Sequence, residues 1–329
     1  MKNILFYNLW HNGDVFSGRG YLQHIKNSLP NVKFGYYHLC NPKIVSDLIR
    51  TQFKPDLKKF QVEQLNYNKI FETDETIYIN TWVGAYFYQN QSRMTDHTDF
   101  IANLEGEGHA NYLSLHKIYK FIIDYLNNQH GCDIILKDDP LLYVPTINWE
   151  KYEYQMVLDF ILNIHQTRRH LICNGKVRSM QSGLPNLSQV IEHMAKVYKN
   201  DIFICTEKFE TTQQNIHFTS DIFNLENDLN EISALSVFCD TIIGKNSGPF
   251  MFTHVQENIN NSNKIFVAMS HNVSDCYPHH IKKLPCKYFF TSSESPNDVA
   301  NAIESAITLS HRSEEHTSEL QSRQYLVCR

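Results

Sequence analysis

The stretch Ile242-Ile243-Gly244-Lys245-Asn246-Ser247-Gly248-Pro249-Phe250 decides the fold. An apolar run ends at a glycine, small polar residues follow, and a proline stands where a helix would begin, which its fixed φ suits. That order spells strand, turn, helix. Backbone N–H groups of Ser247 and Gly248 would then face a ligand from the positive end of the helix. The missing side chain at Gly248 would let a phosphate approach closely. A plain βα turn has the same composition, so the rest of the chain decides between the two.

Around this turn, strand and helix patterns alternate. The spacing gives strands over 170–174, 201–205, 216–218, 241–244, 264–269 and 287–291, with helices over 187–198, 228–237, from 249, and 298–309. The first half begins in the same way. Strands are expected over 3–10, 32–39 and 76–82, and helices over 21–29, 43–52, 112–127 and 154–164, the last leading out of this half. Residues 133–146 fit neither pattern. Short connections between alternating elements imply mainly parallel sheets covered on both faces. The expected class is therefore α/β, with two doubly wound domains over 1–165 and 166–311 and a ligand in the crevice at the strand carboxyl ends.

Residues 312–329 stand apart. Arg312 to Ser322 resembles the translation of a sequencing-library adapter, and the tail holds no Asn, Ile, Lys or Phe, residues in which the body is rich. It is expected to be a non-biological scar, with the native C-terminus lost. Removing it takes away three charges of each sign and leaves the formal balance at -5. Mild acidity gives no ground for nucleic-acid binding. Cysteines 40, 132, 173, 205, 239, 276 and 286 are scattered, mostly in strand-like runs, and suit reduced core residues of a cytoplasmic protein. No CxxC or HExxH occurs, so a metal site is not expected. The chain opens on a strand with no charged-then-apolar leader and no apolar run is long enough to span a bilayer, so a soluble protein with at most peripheral membrane contact is expected.

Three loops after strands could carry chemistry. In His11-Asn12-Gly13-Asp14, Gly13 permits a tight turn and Asp14 brings a carboxylate to the ligand edge; a helix N-cap is the competing role for Asp14. Nearby, Gly18-Arg19-Gly20 partly imitates a dinucleotide fingerprint, but Gln23 occupies the third glycine position. The loop from Asn174 to Ser182 offers Lys176, Arg178 and Ser179 to a diphosphate, or is a solvated basic loop. The third loop is the turn at Ser247. Trp82, Tyr86 and Tyr88 near a strand end could make a sugar-stacking face, against the commoner role of buried packing.

Taken together, Gly13-Asp14-Val15, Leu229 to Leu235 and Ile243 to Pro249 resemble the ADP-heptose:lipopolysaccharide heptosyltransferases, glycosyltransferase family 9. The resemblance implies the GT-B fold, with the acceptor mostly on the first Rossmann-like domain, the nucleotide-sugar on the second, and no required metal or other cofactor. It gives Asp14 the role of base on the acceptor hydroxyl, and Asn246, Ser247 and Gly248 the donor diphosphate. Lys176, Arg178 and Ser179 would add phosphate ligands, Gly13 would belong to the donor-binding set, and Glu207 would contact the nucleoside. Asn246 replaces the family's acid, and Met251 stands where many members carry a histidine, which leaves the sugar and carrier open. His254 could stand in for that histidine, although a surface position is the commoner one for such a residue.

The implied reaction is an inverting displacement at the anomeric carbon, from a nucleotide-sugar to a glycan or lipopolysaccharide-type hydroxyl. An aspartate near a helix N-terminus is a weak base, which suits a late proton transfer. The alternatives are a nucleotide-sugar epimerase of the same architecture and an inactive nucleotide-sugar-binding protein.

Overall fold

The computed structural model describes residues 1–10, 12–38, 42–45, 48–49, 68–87, 111–149, 154–164, 168–175, 186–223, 228–246, 248–271, 284–293 and 295–327. It divides into two compact units, one built on Met1–Lys151 and the other on Tyr152–Val273 with Ile281–Arg329. Among the described residues no helix is long and apolar enough to cross a membrane.

In the first unit, β1 (Asn3–Asn8) lies between β2 (Phe34–His38) and β4 (Thr76–Asn80), parallel to both. A strand with neighbours on both sides and cover on both faces must be apolar throughout, and Ile4, Leu5, Phe6 and Tyr7 are all fully buried. The short β3 (Ile70–Glu72) runs antiparallel along the edge of β4. The sequence pattern did not show it, since Ile70 and Phe71 are two apolar residues between Lys69 and Glu72. Glu72 at its end accepts hydrogen bonds from Lys2 and His130, both 2.6 Å, and from Tyr125.

The long helix Tyr112–His130 outruns the expected 112–127. Asn111 caps its start by accepting the Ser114 N–H at 2.9 Å, and Gly131, at φ 63, closes its end with an N–H to the Asn127 carbonyl. The helix Arg19–Ser28 explains the Gly18-Arg19-Gly20 motif. A Cβ at Gly18 would come within 2.3 Å of the Tyr119 hydroxyl, and one at Gly20 within 2.0 Å of the Tyr143 carbonyl oxygen. The two glycines are there for close packing, and a dinucleotide turn is not needed to account for them. Residues 133–146 carry only the 3-10 turn Pro140–Tyr143, whose Tyr143 stacks on Tyr21 with centroids 4.5 Å apart. The helix expected over 43–52 is present as the 3-10 turn Pro42–Val45; residues 46–47 and 50–52 lie outside the described residues.

The second unit holds six parallel strands in the order β10-β9-β8-β5-β6-β7. They are β5 (Arg169–Cys173), β6 (Ile202–Cys205), β7 (Ile216–Phe218), β8 (Thr241–Lys245), β9 (Ile265–Met269) and β10 (Lys287–Thr291). Each strand lies within a residue or two of its place in the sequence pattern. The helix Tyr154–Asn163 packs on Thr219–Phe223 and Leu229–Val237, so the second unit begins at Tyr152, before the boundary at 165 read from the pattern. The segment after Pro249 is two short helices, Gly248–Met251 and Gln256–Ile259, where one was expected.

Three polar devices fasten this unit. The Lys264 ammonium donates to the carbonyls of Ser236 (2.9 Å), Val237 (3.0 Å) and Cys239, which closes the C-terminus of the helix Leu229–Val237. Asp201 accepts from His170 (3.0 Å) and His311 (2.8 Å), and Arg168 donates to the Ser310 carbonyl. These bonds anchor the last helix, Pro296–Val327, whose Val299, Ile303, Ala306 and Ile307 enter the core.

Candidate functional site

The carboxyl ends of parallel strands set the site in the second unit. The registers Cys173 with Gly244 and Gly244 with Ala268 bring β5, β8 and β9 to one edge, and Ile172 with Cys205 brings β6 to it. Asn174, the first residue after β5, ties two of the loops together. Its Oδ1 accepts the Glu207 N–H at 2.9 Å and the Thr206 hydroxyl at 3.4 Å, while its Nδ2 donates to the Glu207 carbonyl at 2.9 Å. The Glu207 carboxylate then lies over Gly175, with Oε2 3.5 Å from where a Cβ would stand.

Lys245 closes β8 and is buried, as is Asn246 after it. Burial pushes the Lys245 ammonium below its ordinary value, and the Glu207 charge partly offsets that push. The Asn246 N–H donates to the Met269 carbonyl at 2.9 Å, so the β8 ladder runs one residue into the turn. At Gly248 a Cβ would meet nothing within 4 Å, so this position opens on free space. The turn therefore collects a carboxylate, a buried ammonium and an amide at the lip of an open backbone. Lys176, Arg178, Ser179 and Ser247 lie outside the described residues.

The other glycine of the motif has a different cause. A Cβ at Gly244 would stand 2.5 Å from the Phe250 ring and 2.7 Å from the Cys173 Cβ. Phe250 is buried against the strand it follows, and only a glycine leaves room for the short helix to fold back that tightly.

His254 is not at the surface, as its sequence position suggested. It is 1% exposed, and its ring stacks on Phe266 with centroids 5.0 Å apart. A carbonyl only accepts, so Nδ1 donates to the Phe250 carbonyl at 3.0 Å and Nε2 accepts from the Tyr288 hydroxyl at 3.1 Å. Burial pushes its pKa down to about 4, so the ring is neutral in ordinary buffers. The histidine holds the helix Gly248–Met251 to β9 and β10. Met251 is buried too.

In the first unit, Asp14 sits in the first turn of the helix Asn12–Ser17, half-buried. Its Oδ2 accepts the Val83 N–H at 3.3 Å, so the carboxylate reaches across to the segment after β4. Gly13 lies one residue before it, and its carbonyl accepts from Ser17 at 2.8 Å. Burial pushes the Tyr36 phenol up; its hydrogen bond to Thr81 opposes this, and the Asp14 charge adds to it. His38 at the end of β2 bridges the Asn8 carbonyl (2.8 Å) and Asn12 (2.7 Å) along the same edge.

The aromatic face expected from Trp82, Tyr86 and Tyr88 is composed differently. Tyr86 is fully buried, with its hydroxyl donating to the Asn80 carbonyl at 2.7 Å, and it belongs to the core. Tyr88 lies outside the described residues. Trp82 meets Trp10, which the sequence reading passed over, at a centroid distance of 5.9 Å. Lys245 was also passed over; its signal was a charged residue ending an otherwise apolar strand.

No family model matches this sequence, and no curated protein matches it. Solved structures do resemble it. The heptosyltransferase WaaC of E. coli, solved with ADP, superposes with a TM-score of 0.50 at 8% identity, over 94% of this chain and 99% of that one. A family 9 glycosyl transferase from Veillonella parvula gives 0.46 at 12% identity, over 94% and 97%. A UDP-GlcNAc 2-epimerase from Neisseria meningitidis gives 0.46 at 11% identity, over 94% and 92%. Identities this low speak to fold alone. The fold is the one that the sequence resemblance implied, that of the GT-B glycosyltransferases, with mainly parallel α/β units.

Proposed function

We propose that the chain is a metal-independent glycosyltransferase that moves a sugar from a nucleotide-sugar to a hydroxyl of a glycan or glycolipid, with inversion at the anomeric carbon. The observation that carries this is the edge of the second sheet. Asn174 fixes Glu207 by two hydrogen bonds and takes a third from Thr206, and Lys245 and Asn246 stand buried beside a turn that is open at Gly248. An edge of this kind suits a ligand with a polar nucleoside and an anionic diphosphate.

In this reading Glu207 faces the nucleoside. Lys176, Arg178, Ser179 and the turn Asn246-Ser247-Gly248 meet the diphosphate and take up the charge that grows on it as the glycosidic bond breaks. Asp14, held by the Val83 N–H, accepts the acceptor's proton. The 3.3 Å contact tethers one of its two carboxylate oxygens to the segment after β4.

Thermal shift with nucleoside diphosphates, followed by product analysis with and without an acceptor, tests the proposal. The expected results are stabilisation by at least one diphosphate and a glycosylated product only when acceptor is present. Asp14→Asn should keep the stabilisation and lower transfer by orders of magnitude. Unchanged turnover in that variant would remove Asp14 from the mechanism. Conversion of the nucleotide-sugar without any acceptor would replace transfer by epimerisation.

A further inference from the structure

The two central strands of the first sheet end in the same way. β1 runs into Asn8-Leu9-Trp10 and β4 into Asn80-Thr81-Trp82. In each, the asparagine Oδ1 accepts the N–H of the tryptophan two residues on, at 2.9 Å in both cases. The strands are parallel neighbours with Tyr7 opposite Asn80, and the Thr81 N–H continues the ladder to the Tyr7 carbonyl at 2.8 Å. The paired turns therefore emerge side by side. They deliver two indoles to one place, with centroids 5.9 Å apart and planes 43° apart.

The surroundings are shaped to the rings. A Cβ at Gly84 would lie 2.4 Å from the Trp82 ring, so that indole rests on a backbone position where any side chain would displace it. Trp10 remains 47% exposed. The residue after Trp82 is Val83, whose N–H holds Asp14. The tryptophan pair and the carboxylate thus share one edge of one sheet, at the strand ends where ligands of such sheets are held.

We propose that Trp10 and Trp82 are a stacking platform for an uncharged pyranose of the acceptor, which they seat beside Asp14. The chemistry follows from the ring faces. An indole face is electron-rich and apolar, and the axial C–H bonds of a hexopyranose present a weakly positive apolar face to it. The hydroxyls at the sugar's rim stay free to meet polar groups such as the Asp14 carboxylate. An acidic sugar would bring a second negative charge toward that carboxylate, which disfavours it. The assignment rests on the glycosyltransferase reading for the word acceptor; the platform itself rests on the first unit alone.

Saturation-transfer NMR on the full chain tests it, with methyl β-D-glucopyranoside and methyl β-D-galactopyranoside as probes and methyl β-D-glucuronide as the charged control. The expected result is saturation of the C–H face protons of at least one neutral glycoside and less for the glucuronide. Trp10→Ala should weaken that binding about tenfold, and Trp10→Tyr should restore most of it. Trp10 is half in water, so both variants should keep the circular dichroism and melting temperature of the parent. No saturation of either neutral glycoside would overturn the proposal, as would parent-like binding by Trp10→Ala or equal binding of the glucuronide. Nucleoside-diphosphate stabilisation of the same samples reports separately on the glycosyltransferase reading. Diphosphate stabilisation without glycoside binding sinks the platform alone, and glycoside binding without diphosphate stabilisation sinks that reading while the platform stands.

Discussion

His254 should make the second unit acid-sensitive by an amount that its surroundings fix. The ring is enclosed by Phe250, Phe266 and Tyr288, and burial holds its pKa at about 4. In the unfolded chain the same ring titrates near its ordinary value of about 6.5. As pH falls, the unfolded state takes up a proton first and the folded state refuses it until near its own lower pKa. Stability is therefore full above the unfolded value and is lost as pH drops toward the folded one. The whole gap is worth about 3 kcal/mol, and about 2 kcal/mol of it falls between roughly pH 7 and pH 5. Burial also lowers His116 and His217, so the parent carries other losses in this window and the comparison must be with a variant. His254→Gln lacks the titrating group and should lose about 2 kcal/mol less than the parent between the two pH values. Urea unfolding followed by far-ultraviolet circular dichroism gives the difference. All three tryptophans, at 10, 82 and 149, fall in the first unit, so their fluorescence is an internal control that should respond to pH alike in both proteins. An equal acid loss in parent and variant by circular dichroism would refute the buried, neutral His254.

Three further outcomes follow from particular contacts. Gly244→Ala drives a methyl group into Phe250 and Cys173 and should cost about 1–3 kcal/mol in urea unfolding, with weaker nucleoside-diphosphate stabilisation because the turn shifts with Phe250. Asn174→Ala removes the bonds that fix Glu207, so it should lower diphosphate affinity severalfold while changing global stability by only about 1–2 kcal/mol. Ending the chain after His311 should leave the melting temperature unchanged, whereas ending it after Leu309 removes the Arg168–Ser310 and Asp201–His311 bonds and should cost about 2 kcal/mol.

The second sheet was legible because its strands are all parallel and four of the six are central. Such strands are apolar on both faces, bounded by helices, and uninterrupted in sequence, as with Ile202–Cys205 and Ile265–Met269. The elements that escaped notice owe their existence to partners elsewhere. β3 has three residues and an antiparallel neighbour, and nothing local marks it. The turn Pro140–Tyr143 is held by stacking on Tyr21, a residue more than a hundred positions away. Gly18 and Gly20 imitate part of a dinucleotide fingerprint for the same reason: a glycine required by a distant tyrosine looks, in sequence, like a glycine required by a phosphate.

The site divides along that line as well. Asp14, Glu207 and Asn246 could be placed at strand ends because the strands could be placed, and the turn at Gly248 was foretold by Pro249. His254 could not be placed, since its burial depends on Phe266 from β9 and Tyr288 from β10, and a polar residue one turn past a site invites an exposed assignment. The tryptophan pair lay between these cases. The two Asn-X-Trp turns were visible in the sequence 72 positions apart, from Trp10 to Trp82, yet only the pairing of Tyr7 with Asn80 makes them adjacent. A repeated local motif at the ends of two strands gains meaning once the strands are known to be neighbours. In a doubly wound sheet the central strands are the ones whose neighbours can be inferred, so a short motif repeated after two such strands brings its side chains together.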